Sequence, residues 1–144
     1  MKEKNLFNLI LLTSIIVIST SLFGSDIESS VNKHKNKFEN IALSIWDYAE
    51  LGYQEIKSST ALAESLKEEG FKITYKVANI PTAFIAEYGN NGPVIGILGE
   101  FDALPGLAQT NAPFKEVISN ETGGGHACGH HLFGAASAWA AVVI

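Results

Sequence analysis

The chain has 144 residues, 47% of them hydrophobic and 17% charged, with a formal net charge of -5. This is the acidic composition of an ordinary soluble domain, and it excludes a basic surface of the kind that holds nucleic acid. All ten basic residues are lysines, so the segment also lacks the bidentate guanidinium clamp for a carboxylate or phosphate.

Residues 1–25 read as a secretory signal peptide, with Lys2 and Lys4 ahead of an apolar run from Leu6 to Ile18 and a small-residue region at 19–25. Export to a periplasmic or extracellular space is expected, with an uncleaved anchor as the alternative. A single cysteine, Cys128, then permits no internal disulfide, and an unpaired thiol in an exported chain points to reactivity or metal ligation.

The mature part, 26–144, opens with apolar residues at helical spacing, Phe38, Ile41, Ala42, Ile45, Trp46 and Ala49. They predict an amphipathic helix from about Ser30 to Gly52, with His34 on its surface among lysines. A second helix is predicted from Glu55 or Ser58 to Glu69, closed by Gly70. The period then changes, and Phe71–Val77, Thr82–Tyr88 and Pro93–Leu98 are predicted as strands, the last two joined by a hairpin turn at Gly89–Gly92. A helix pair feeding a sheet with an apolar central strand implies a layered α/β or α/β/α domain.

That central strand runs into Glu100 and Asp102, at the carboxyl end where open α/β sheets present ligands. Residues 107–122 have no clear period and read as a connecting loop. Beyond them, Gly123-Gly124-Gly125-His126-Ala127-Cys128-Gly129-His130-His131 gathers the cysteine and three of four histidines. Thiolate and imidazole suit zinc or a similar ion. In an extended segment Cys128 and His130 project to one side, so they are the expected ligand pair. A helix is predicted over Leu132–Ile144, its start favouring the Cys128 thiolate. A carboxylate from the strand end would orient a ligand histidine or share an ion.

Three stretches together resemble the amidohydrolase branch of the co-catalytic zinc metallopeptidases, of aminoacylase and carboxypeptidase type. They are residues 49–55, residues 99–107 with their Asp-Ala-Leu-Pro step, and Gly125-His126-Ala127-Cys128-Gly129-His130. The resemblance implies a layered α/β/α zinc-peptidase-like catalytic domain, of which this chain carries the N-terminal portion without the lid (dimerisation) domain. It implies two divalent ions, zinc or manganese, and hydrolysis of the amide bond in N-acyl amino acids or small peptides. It further implies a homo-oligomer or companion subunit in the intact protein. Cys128 and His130 carry over as metal ligands and Asp102 as the catalytic carboxylate beside them. Glu100, His126 and His131 are candidates for the surrounding shell, His126 as a structural residue. The family's paired glutamates and further histidines are not in this segment, which is therefore expected to be a truncated, inactive part. The competing expectation is an exported metal-binding module using His126, Cys128, His130 and His131.

Overall fold

The computed structural model describes residues 26–144, so the expected signal segment at 1–25 lies outside the described residues. Three helices carry the architecture: α1 over residues 26–48, α2 at Ile56–Glu68 and α3 at His130–Val143. Two short antiparallel pairs accompany them. The first joins β1 (Lys72–Tyr75) to β2 (Phe84–Glu87), and the second joins β3 (Leu104–Pro105) to β4 (Gly124–Gly125). This is a mixed α/β fold.

On α1 the expected stripe faces inward, with Phe38, Ala42 and Ile45 buried. His34 falls on the same stripe, one turn before Phe38, and is buried rather than superficial, with Nδ1 3.5 Å from Glu69 Oε1. Flanking lysines suggest a solvated face, but helical phase decides which side a residue takes. The helix stops at residue 48 instead of at Gly52, because Ala49 turns to a left-handed φ of 44°. The second helix closes as expected, on Gly70 at φ 92°.

Phe38, Ile45, Leu62, Leu66 and Ala138 form one core, enlarged by Ile73, Phe84, Phe101 and Trp139 around them. Phe38 stacks on Trp139 at 6.1 Å and Phe84 on Phe101 at 6.2 Å, so all three helices and the first strand pair share this interior.

The third predicted strand is corrected. Residues 93–98 form no ladder, the bends at 90–92 close no hairpin, and Val94 is 98% and Leu98 75% exposed. A strand requires a partner for its N–H and C=O groups, and no strand among the described residues pairs with this run. The 107–122 segment is tighter than expected, with Gln109 bridged to Val117 and the Thr110 amide donating to the Glu116 carbonyl at 3.0 Å. Among the described residues no helix is long and apolar enough to cross a membrane.

One ion-pair cluster ties α1 to the end of α2. The Lys37 ammonium donates to Glu69 Oε1 at 2.8 Å and to the Ser65 carbonyl at 3.1 Å, and lies 3.1 Å from Glu68 Oε2. The hydrogen bond from Lys37 holds the Glu69 carboxyl below its ordinary value of 4.5. A depressed carboxyl stabilises the fold above its unfolded value and loses that contribution as pH falls through its folded value. Glu69→Gln is therefore expected to flatten the acid limb of stability below about pH 4.5, and to cost up to about 1 kcal/mol at neutral pH. Urea unfolding of both forms between pH 3 and 7 measures it; parallel curves would exclude this role.

Candidate metal centre

The site is assembled where three non-contiguous segments meet. The first is the link between α1 and α2. There the Ala103 amide donates to the Glu50 carbonyl at 2.7 Å, and Leu51 bridges Ala103 in parallel. This fixes Asp102, the residue before Ala103. The second segment is the Gly124–Gly125 pair against Leu104–Pro105, with Leu104 opposite Gly125. Gly125 is crowded so closely by the Leu107 carbonyl that no Cβ fits there. The third is the start of α3.

The glycine-rich run does not stay extended. The Gly129 amide donates to the His126 carbonyl at 3.0 Å, and Gly129 adopts φ 78° before α3 begins at His130. Cys128 and His130 are thus separated by a turn, which corrects the expectation that they project together from an extended strand. One turn into the helix, Gly134 packs on the 99–101 segment, where an added Cβ would stand 2.7 Å from the Glu100 carbonyl oxygen. Ser137 Oγ donates to the Leu98 carbonyl at 2.8 Å and pins the same approach. His130, four residues before Gly134, is thereby laid against the acidic loop.

The result is a chain of three side chains. His130 Nδ1 lies 2.7 Å from Asp102 Oδ1, and His130 Nε2 lies 2.9 Å from Glu100 Oε2. Nitrogen and oxygen atoms of the three lie within 4.8 Å of one another. A neutral imidazole has one N–H to donate, yet here both ring nitrogens face carboxylates. A metal ion shared by Nε2 and a carboxylate would match this geometry. The His130–Asp102 contact is also the pattern by which carboxylates fix ligand histidines. The donor set therefore fits a divalent ion of the zinc or manganese type.

Of the expected residues, Glu100, Asp102 and His130 are brought together. Cys128 is exposed, and its sulfur does not join that group. His126 is buried, and its Nε2–H donates to the Ile45 carbonyl at 2.9 Å. His131 sits edge-on to Trp46 at 5.0 Å between centroids. Burial pushes both rings below the ordinary histidine value and favours their neutral forms.

Sequence reasoning misses the side chain of Glu50. Its buried carboxylate accepts from the Lys57 amide at 3.0 Å, from the Ser58 amide at 2.8 Å and from the Ser58 hydroxyl at 2.8 Å, so it caps α2 from outside the helix. Glu55 is buried as well and accepts from the Thr82 hydroxyl at 2.6 Å. An acid shortly before a helix with a serine in its first turn is the available signal, read usually at the N-cap position alone.

No protein-family model matches the chain. Curated proteins do. The chain is 39% identical over 118 residues to a p-aminobenzoyl-glutamate hydrolase subunit of Escherichia coli strain K12, covering 82% of this chain and 24% of that protein. It is 32% identical over 96 residues to hippurate hydrolase of Campylobacter jejuni, covering 67% of this chain and 24% of that protein. It is 36% identical over 93 residues to N-acetylcysteine deacetylase of Bacillus subtilis strain 168, covering 63% of this chain and 23% of that protein. The chain thus spans about a quarter of the length of the curated relatives it matches. That share fits the N-terminal part of such a hydrolase, and by these matches the chain belongs to the amidohydrolase branch of the zinc-metallopeptidase family.

Proposed function

We propose that this chain is the N-terminal part of a metal-dependent amidohydrolase that cleaves the amide bond of N-acyl amino acids, aminobenzoyl-glutamate among them, or of small peptides. The observation that carries the reading is the Glu100–His130–Asp102 chain, in which both ring nitrogens of His130 face carboxylates. Glu100 and His130 Nε2 would hold one divalent ion, and Cys128, two residues before His130, would supply a ligand once the rest of the site surrounds it. The chemistry such an ion supplies when bound is Lewis acidity toward an amide carbonyl and acidification of water.

The chain's own residues prepare that chemistry. Asp102 accepts the His130 Nδ1–H, which fixes the tautomer and leaves Nε2 as the donor atom. The neighbouring imidazoles of His126 and His131, kept neutral by burial, add no competing positive charge. The adjacent glutamates that the family uses as base and ligand are not supplied by this segment, so the isolated chain binds metal but turns over no substrate.

In the whole protein, residues 93–98 would be the central strand of the layered α/β/α catalytic domain, delivering Glu100 and Asp102 from its end. The N-terminal apolar run would direct export. A companion subunit or a second copy of the chain would complete the assembly, a reading supported by one relative being itself a subunit of its hydrolase.

The test is a calorimetric titration of the purified chain with zinc or manganese beside hydrolysis assays on aminobenzoyl-glutamate and hippurate. Saturable binding without turnover is expected. Turnover by the chain alone would refute its dependence on further residues, and absence of binding at millimolar metal would refute the metal site.

A further inference from the structure

We propose that Glu50 is a positioning residue of the acid–imidazole site, holding Asp102 in place through the backbone although its own side chain points the other way. The inference rests on the metal-site reading above and extends it to a residue outside the ligand group.

Residues 49–52 are a clamp. The Ala49 carbonyl accepts from the Thr122 hydroxyl at 2.7 Å, and Thr122 Oγ1 in turn accepts from the Gly124 amide at 3.0 Å. The Glu50 carbonyl takes the Ala103 amide at 2.7 Å, and Gly52 lies so that a Cβ there would stand 3.9 Å from Asp102 Oδ2. The same short stretch therefore grips the loop bearing Asp102 and the loop leading to His130.

Something must hold the 49–53 turn in its unusual shape, for Ala49 at φ 44° and Tyr53 at φ 67° are left-handed non-glycine residues. Such conformations cost about 1 kcal/mol or more each and persist only when the surroundings impose them. The Glu50 carboxylate is what imposes them. It is buried, satisfied by three donors from the first turn of α2, and placed at that helix's positive end. Its backbone faces the site while its side chain is bolted to α2, so α2 is the rigid reference for Asp102.

Glu50→Gln is nearly isosteric but sets an NH2 group against one of the two α2 amides, donor facing donor. Ser58→Ala removes only the hydroxyl contact. Leu66→Ala, in the core and away from the clamp, supplies a matched loss of thermal stability. Each variant of the 144-residue chain is compared for two readouts: the hydrogen-bonded Nδ1–H proton of His130 by NMR without metal, and the dissociation constant for cobalt(II).

Glu50→Gln is expected to broaden or abolish the His130 proton signal and to weaken cobalt binding by about ten- to a hundredfold, the range for residues that support a ligand. Ser58→Ala is expected to move both in the same direction by less, and Leu66→Ala to leave both unchanged. A wild-type signal and affinity in Glu50→Gln would overturn the proposal, as would equal losses in Leu66→Ala. If Glu50→Gln does not fold, unchanged readouts in Ser58→Ala overturn it. A wild-type chain that binds no cobalt refutes the metal reading, and the His130 proton still decides the role of Glu50.

Discussion

Gly125→Ala is expected to remove the site by unseating the backbone that carries it. Gly125 pairs with Leu104, and an added Cβ would overlap the Leu107 carbonyl while standing 3.1 Å from the Ala108 amide nitrogen. These obstacles are main-chain atoms within a paired segment, so no rotamer change relieves them. Overpacking costs about 1–3 kcal/mol where side chains can yield. Here the cost is expected at about 3 kcal/mol or more, a large share of the about 5–15 kcal/mol that holds a typical domain together. His126 follows directly and would lose its bond to the Ile45 carbonyl. Gly123→Ala is the control, because Gly123 has φ 64° and nothing within 4 Å of its Cβ position, leaving only the left-handed cost of about 1–2 kcal/mol. Urea unfolding of the two variants measures the gap; equal losses would mean that close approach is not what selects glycine at 125.

His130→Ala is expected to have the opposite profile, a severe loss of metal binding with little loss of fold. The ring is the element shared by both carboxylates, at 2.7 Å from Asp102 and 2.9 Å from Glu100, so its removal leaves two acids with no soft ligand between them. Affinity for zinc or cobalt is expected to fall by more than the roughly hundredfold that marks the upper range for a supporting residue. Stability should change by about 1 kcal/mol or less, because Glu100 is half-exposed and both carboxylates stay hydrated when the ring goes. Asp102→Asn should sit between, since an amide oxygen still accepts the Nδ1–H but without charge. Calorimetric titration beside thermal unfolding separates the two quantities, and wild-type affinity in His130→Ala would place the ion elsewhere.

The helices are legible because their signals are local. Apolar spacing across Phe38, Ala42 and Ile45 and the stop at Gly70 need no knowledge of the rest of the molecule. His34 is the exception: its phase, one turn before Phe38, already puts it on the buried stripe, but the lysines around it suggest a solvated face, and its neighbour Glu69 sits at the end of α2. The 93–98 run shows the limit more plainly. Its composition is that of a buried strand, but a ladder is a property of two segments, and sequence alone cannot supply the second. At the site, ligand chemistry singles out Asp102, Cys128 and His130, and the structure brings Asp102 and His130 together with Glu100. The spacing of Cys128 and His130 puts them side by side only in an extended chain, whereas Gly129 turns at φ 78° between them and α3 begins at His130. Glu50 is hidden from such reasoning because its influence travels through a carbonyl, and main-chain acceptors carry no residue-type signature.

The exposed run at 93–98 also governs how this chain would behave in a crowded solution. Val94, Ile95, Ile97 and Leu98 present apolar side chains beside unladdered backbone, which is the surface that other nascent chains and chaperones engage first. Folding of each molecule is first order, whereas capture by a neighbour rises with concentration. Yield is therefore a kinetic contest, won in dilute solution and lost as chains accumulate. These exposed apolar residues thus set the solubility ceiling of the chain.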